Sequence, residues 1–216
     1  MKKIQLFVCL LALCNLTLFA QTGRPPRISH TTEKSATHVP LQETPASLKG
    51  IYSNLGKKGY YSDTQGWTVS GPASKNGSTQ FIAMPFTPKT NAHVSQVGVA
   101  VQYISGANQV NVSLYGDTSG APGTLLAGPV TVTNLPANGT CCAVGLANFS
   151  PVAVTGLTQY WVVVDTPLTG TGSDFLGAWK FIGTTTFLQG INTGSGWSGF
   201  QSTPEKAAGE VLGTIP

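Results

Sequence analysis

From Gly50 to Pro216 the chain never sustains the 3.6-residue apolar period of an amphipathic helix. Its apolar residues recur at every second position, in short runs broken by Gly, Pro, Asn and Ser. Because successive strand side chains point to opposite sides, such alternation gives strands with one buried and one wetted face. Along 94–105, Val97, Val99, Val101 and Tyr103 share a face that Ser95 and Ser105 close. Along 110–115, Val110, Val112 and Leu114 point one way and Asn111, Ser113 and Tyr115 the other. Ser105-Gly106-Ala107-Asn108 between these runs reads as a hairpin turn. Tyr160-Trp161-Val162-Val163-Val164 is apolar on both faces, as a central strand would be. Further strands are expected at 50–54, 66–70, 78–86, 124–132, 143–149, 175–180, 185–188 and 210–212. About eleven short strands with frequent turn signals predict an all-β fold, a two-sheet antiparallel β-sandwich of jelly-roll-like topology.

Two segments precede this domain. Residues 1–20 run from Met1-Lys2-Lys3 through an apolar stretch to Leu18-Phe19-Ala20, the layout of a cleavable secretory signal peptide. The stretch is shorter than the ~20 residues a membrane span needs, and Asn15 and Thr17 interrupt it. No transmembrane segment is expected after cleavage. The chain is therefore expected to be secreted, extracellular or at the cell surface, with the periplasm as the other compartment. Residues 21–49 hold Pro25, Pro26, Pro40 and Pro45 with few large apolar side chains, and read as a disordered linker. His30 and His38 fall there, without the fixed geometry a metal site needs. The sandwich is assigned to 50–216.

From residue 50 onward six Lys and no Arg stand against four Asp and two Glu, a neutral domain. That balance argues against a nucleic-acid partner, which requires clustered cations. Only two cysteines, Cys141 and Cys142, follow the signal segment. In a strand their thiols would diverge, so one buried and one partly exposed thiol is expected rather than a disulfide between neighbours.

The chemistry of a catalytic or cofactor site is thinly represented. His93 is the domain's one histidine, and no Gly-x-Ser-x-Gly elbow is present for a serine triad. Asp165 and Asp174 are the pair of carboxylates closest to a glycosidase arrangement, yet both stand where Asp commonly ends strands or fixes turns. The stretch 194–199 matches Gly-x-Gly-x-x-Gly without the flanking strand and helix, and reads as a flexible loop. Asp117 lies in Gly116-Asp117-Thr118-Ser119-Gly120, a turn rather than a Ca²⁺ loop, because one carboxylate falls short of six to eight oxygen ligands. No catalytic residue, metal or cofactor is therefore expected. Trp67, Trp161 and Trp179 sit in expected strands and belong to the core. Tyr60, Tyr61, Trp197 and Phe200 fall in expected loops and form the candidate binding patch, suited to stacking on sugar rings.

Several motifs together resemble the choice-of-anchor R domain of exported bacterial proteins. They are Ile51-Tyr52-Ser53-Asn54, Gly66-Trp67-Thr68-Val69-Ser70-Gly71, Phe86-Thr87-Pro88, the stretch 112–126 with Leu114-Tyr115-Gly116-Asp117 and Ala121-Pro122-Gly123, and Gln159-Tyr160-Trp161. The resemblance spans roughly residues 50–214. It implies a non-catalytic extracellular module with no defined catalytic residues, ordinarily followed by an anchoring tail. The end at Thr214-Ile215-Pro216 carries neither a hydrophobic tail nor a basic cluster, which makes release or periplasmic retention as much expected as anchoring. The functional expectation is a non-enzymatic module at the cell surface or in the matrix, binding glycans or matrix components. The alternatives are a purely structural, self-assembling exported protein, favoured by a long unprotected edge strand, and, least favoured, a small hydrolase using Asp165 and Asp174.

Overall fold

A computed structural model describes residues 27–29, 48–62, 64–183, 188–201 and 205–216. The signal peptide read at 1–20, His30 and His38, most of the linker, and most of the strand expected at 185–188 lie outside the described residues.

The elements are β1 (Arg27–Ser29), β2 (Lys49–Ser53), β3 (Gln65–Ser70), β4 (Phe81–Phe86), β5 (Ala92–Val99), β6 (Val101–Ser105), β7 (Gln109–Thr118) and β8 (Ala121–Thr133). They continue as β9 (Gly145–Val154), β10 (Tyr160–Asp165), β11 (Leu176–Gly183), β12 (Leu188–Asn192), β13 (Trp197–Gln201), β14 (Glu205–Ala207) and β15 (Gly209–Thr214). One 3-10 turn, Lys57–Gly59, joins β2 to β3.

The fold is an all-β antiparallel sandwich, as the period-two pattern predicts. A six-stranded sheet has the order β13-β12-β4-β10-β7-β8, and a four-stranded sheet the order β2-β15-β5-β9. The third sheet runs β1-β3-β11-β14, with β6 also on β11. It is joined to the four-stranded sheet by two strands that pass from one into the other. The β5–β6 run does so at Ala100 and the β14–β15 run at Ala208. Backbone bonds from Ala100 N to Ala208 O (3.1 Å), Lys180 N to Ala100 O (2.9 Å) and Ala208 N to Lys180 O (2.8 Å) tie this corner. The single run expected at 94–105 is therefore two strands in two sheets. For the same reason Ser105–Asn108 is not a hairpin: β6 pairs with β11 and β7 with β8 and β10, so the turn carries the chain between sheets.

The faces alternate as read. Val110, Val112 and Leu114 of β7 are buried with Ile82, Met84, Val162, Val164, Val97 and Val211 in the main core. Burying such aliphatic surface stabilises the fold by roughly 25 cal/mol per Å². Trp67, Trp161 and Trp179 are fully buried, and their ring N–H groups are satisfied: Trp67 donates to Glu205 O (3.0 Å) and Trp179 to Ala208 O (2.8 Å).

Three further expectations are corrected. Within the segment read as linker, Arg27–Ser29 forms β1 on the edge of β3, and β2 begins at Lys49. The stretch 194–199 is a loop only to Gly196, after which β13 pairs antiparallel with β12. Cys141 and Cys142 are joined as a disulfide. The divergence argument assumed a strand, whereas the pair lies in the bend ahead of β9, where the pleat does not separate neighbours.

Candidate functional site

The four aromatics read as one patch are placed apart. Tyr60 follows the 3-10 turn and is 58% exposed. Its loop runs beside β11, where Ser62 N donates to Phe181 O at 3.0 Å. Tyr61 is corrected from surface to core. It is fully buried, its hydroxyl donates to Ala143 O (2.6 Å) and accepts from Gln102 Nε2 (3.3 Å). A phenol ring meets that burial because its one polar tip is satisfied. Trp197 and Phe200 lie on β13 rather than in a loop. Trp197 is half-buried against the cluster of Ala83, Trp161 and Val163 on the outer face of the six-stranded sheet. The backbone of Phe200 pairs with Gln189; its side chain is outside the description. Tyr60 thus lies in a loop beside β11 of the third sheet, and Trp197 on β13 of the six-stranded sheet.

Each carboxylate is engaged in its own local contacts. Asp174 Oδ1 accepts from Ala107 N (3.0 Å) and fixes the β6–β7 corner. Asp165 ends β10 opposite Asn111. Burial pushes its carboxyl up to about 6, and a hydrogen bond from Asn111 pulls the other way. Tyr115 on the same face is raised by burial and then by Asp165. Asp117 carries the turn expected of it, with Oδ2 accepting from Gly120 N (3.1 Å). Its Oδ1 also accepts from Gln159 Nε2 (2.7 Å) and Trp161 Nε1 (2.7 Å). Burial raises Asp117, but the bonds from Trp161, Gln159 and Gly120 prevail and its carboxyl is lowered. His93 at the start of β5 is exposed. Among the described residues, no group of three or more His, Cys, Asp or Glu side chains gathers as a metal centre would require.

A groove of about 620 Å³ lies between the end of β8 and the start of β9. Thr131, Thr133, Asn134, Thr140 and Asn148 supply its polar lining, Val132 and Leu146 part of its apolar lining, and no ionisable side chain borders it. The floor is held by the segment before β9. Gln102 Oε1 accepts from Gly139 N (2.8 Å), and Gln102 Nε2 also donates to Thr140 O. The two walls converge at Gly145. A Cβ there would lie 2.9 Å from Val132 Cγ1 and 2.8 Å from Leu135 Cδ2, so a larger residue would have to displace these buried side chains. Asn148 is oriented by Gln96, whose Nε2 donates to its Oδ1 (2.7 Å), and Thr131 Oγ1 donates to Asn111 Oδ1 (3.1 Å).

The groove walls are sheet edges. β8 ends the six-stranded sheet and β9 ends the four-stranded one, and among the described residues no strand pairs with either outer side. Neither strand contains a charged residue. At other edges β2 carries Lys49, and β14 carries Glu205 and Lys206, with the Lys206 ammonium 4.9 Å from the centre of the Tyr52 ring. Edge strands are ordinarily shielded by such charges. Sequence reasoning read β8 and β9 as strands but missed them as a site; the available signal was the absence of charge across 121–133 and 145–154.

Comparison with protein-family models and with curated proteins finds no match to this chain.

Proposed function

We propose that this chain is an exported, non-catalytic β-sandwich module that works by surface contact, as an assembly or matrix domain outside the cytoplasm. The signal-peptide layout of residues 1–20 supports export. The observation that carries the contact reading is the pair of uncharged strands β8 and β9 at the groove, whose outer sides have no partner strand among the described residues. Such strands present rows of free backbone donors and acceptors and invite pairing with another chain. The resemblance to choice-of-anchor modules supports the same class.

A second reading, binding of a neutral glycan, draws on the hydroxyl and amide lining of the groove, which suits a polyhydroxyl ligand without charge. Trp197 on β13 and Tyr60 in the loop beside β11 give it no stacking strip. Sedimentation of purified residues 21–216 over a concentration series, beside a glycan-array screen, tests the two. Reversible self-association with a blank array is expected. A chain that stays monomeric and gives reproducible glycan spots, lost in Asn148→Leu, would replace the assembly reading with the glycan one.

A further inference from the structure

We infer that two copies of this chain join edge to edge about a twofold axis, β8 against β8 and β9 against β9, so that both layers of the sandwich run from one copy into the other. The inference rests on the contact reading and names its partner.

The two layers end on the same side of the molecule, with the groove between them. One added extended peptide pairs with one layer and leaves the other bare. An identical copy presents the same two edges at the same separation. A twofold axis perpendicular to the layers sets each edge antiparallel to its own counterpart, the self-complementary arrangement of an isologous dimer. Prolines mark the usable stretches. Pro129 in β8 and Pro151 in β9 have no backbone N–H to donate. Of the stretches they bound, 130–133 and 145–150 are the ones whose residues line the groove.

Charge allows the contact. Neither edge carries an ionisable group, so the two edges meet without like charges opposed across the contact. The charged edges β2 and β14 would place lysines opposite lysines or interrupt the ladder. β13 is uncharged but stands at the opposite end of the six-stranded sheet from β8 and contributes nothing to the groove.

The experiment measures the dissociation constant of the 21–216 chain by sedimentation, for wild type and for Thr131→Lys and Ser150→Lys. Both side chains are exposed, so the fold tolerates the change. Leu157→Lys, at an 83% exposed turn, is the control. A wild-type dimer is expected, weakened about tenfold or more by each edge lysine and unchanged by the control. Hydrogen exchange on the unaltered protein gives a second readout: amides of 130–133 and 145–150 gain protection as concentration rises. Dimerisation that persists in both lysine variants would overturn the twofold edge geometry while leaving the contact reading in place. A monomer at the highest soluble concentration would overturn both. Protection that appears only when a neutral oligosaccharide is added to a monomer would assign the groove to a glycan instead.

Discussion

The six-stranded sheet is closed on both faces, but by different means. On its inner face Ile82, Met84, Val162 and Val164 pack into the main core against the opposite layer. On its outer face Ala83, Trp161 and Val163 form a small cluster with Tyr115 and Trp197. Their cover comes from the chain's own β7–β8 hairpin. Pro122 near its tip is buried, and a Cβ at Gly190 of β12 would lie 3.4 Å from Pro122 Cδ and 3.0 Å from Ala83 Cβ. Asp117 pins that hairpin through the Trp161 ring N–H, the Gln159 amide and Gly120 N. The inner face is held by area and the outer face by a roof and a few polar bonds. Contacts of the first kind resist relaxation because both walls are fixed, while a roof can settle into a gap.

Adjacent residues on β10 test this most strongly. Val162 and Val163 are both fully buried and point to opposite faces. Val162→Ala is expected to cost about 3 kcal/mol, a transfer loss plus an unrelaxed cavity, and Val163→Ala about half of that. Urea unfolding of the two variants checks the ratio. Equal losses would show that the hairpin is as rigid as the opposite sheet.

Within the outer face the two carboxylates titrate in opposite directions, and pH separates them. Asp165 is raised to about 6 by burial, so its folded form holds a proton more tightly than the unfolded chain. Its contribution is neutral below the unfolded value and becomes destabilising as pH rises from about 4 through about 6. Asp165→Asn removes this penalty. The variant is expected to gain on the order of 2 kcal/mol over wild type at pH 8 and nothing at pH 3.5. Unfolding midpoints at the two pH values decide it; a variant less stable at pH 8 would show that the carboxylate is held as an ion.

Much of this arrangement can be read from residue order, and the exceptions share a cause. β7 and β10 are legible because alternation, or its absence, records how many faces are covered. The corner at Ala100 is not, since Val97, Val99, Val101 and Tyr103 keep their alternation through it. What moves the chain from one sheet to another is bonding to Ala208 and Lys180, about a hundred residues away in sequence. Tyr61 differs from Tyr60 in nothing local. Its burial depends on Ala143 and Gln102, brought to it by the β6 corner and the segment before β9. The candidate site is a halfway case. The absence of charge in β8 and β9 is plain in the sequence, but that they are the ends of their sheets follows only from strand order.

Trp161→Phe keeps an aromatic ring in the outer cluster and removes the N–H that bonds Asp117. A hydrogen bond to an ionised acceptor contributes about 1.5 kcal/mol, and a loss near that size is expected. The carboxyl of Asp117 should also titrate higher once its donor is gone, which carboxylate NMR would follow. An unchanged titration would mean that Gln159 and Gly120 hold the ion without the indole.

The smallest effect expected is that of Asp117→Asn. The amide oxygen can still accept from Trp161 and Gln159, but its NH₂ group then faces Gly120 N–H and that bond is lost. The residue is exposed, and solvent screens what its charge adds, so the loss at pH 7 is expected to stay below ~1 kcal/mol. Its pH dependence is the mirror of that of Asp165. Because the folded carboxyl is lowered, wild type draws stability from it above the unfolded value and loses that stability as pH falls through the folded one. The asparagine variant lacks this acid limb, so the two proteins should converge in unfolding midpoint as pH drops toward 2. If the gap instead persists unchanged into acid, the hairpin is pinned by the shape of the turn and not by the charge of Asp117, and the outer face would then be held in the same way as the inner one.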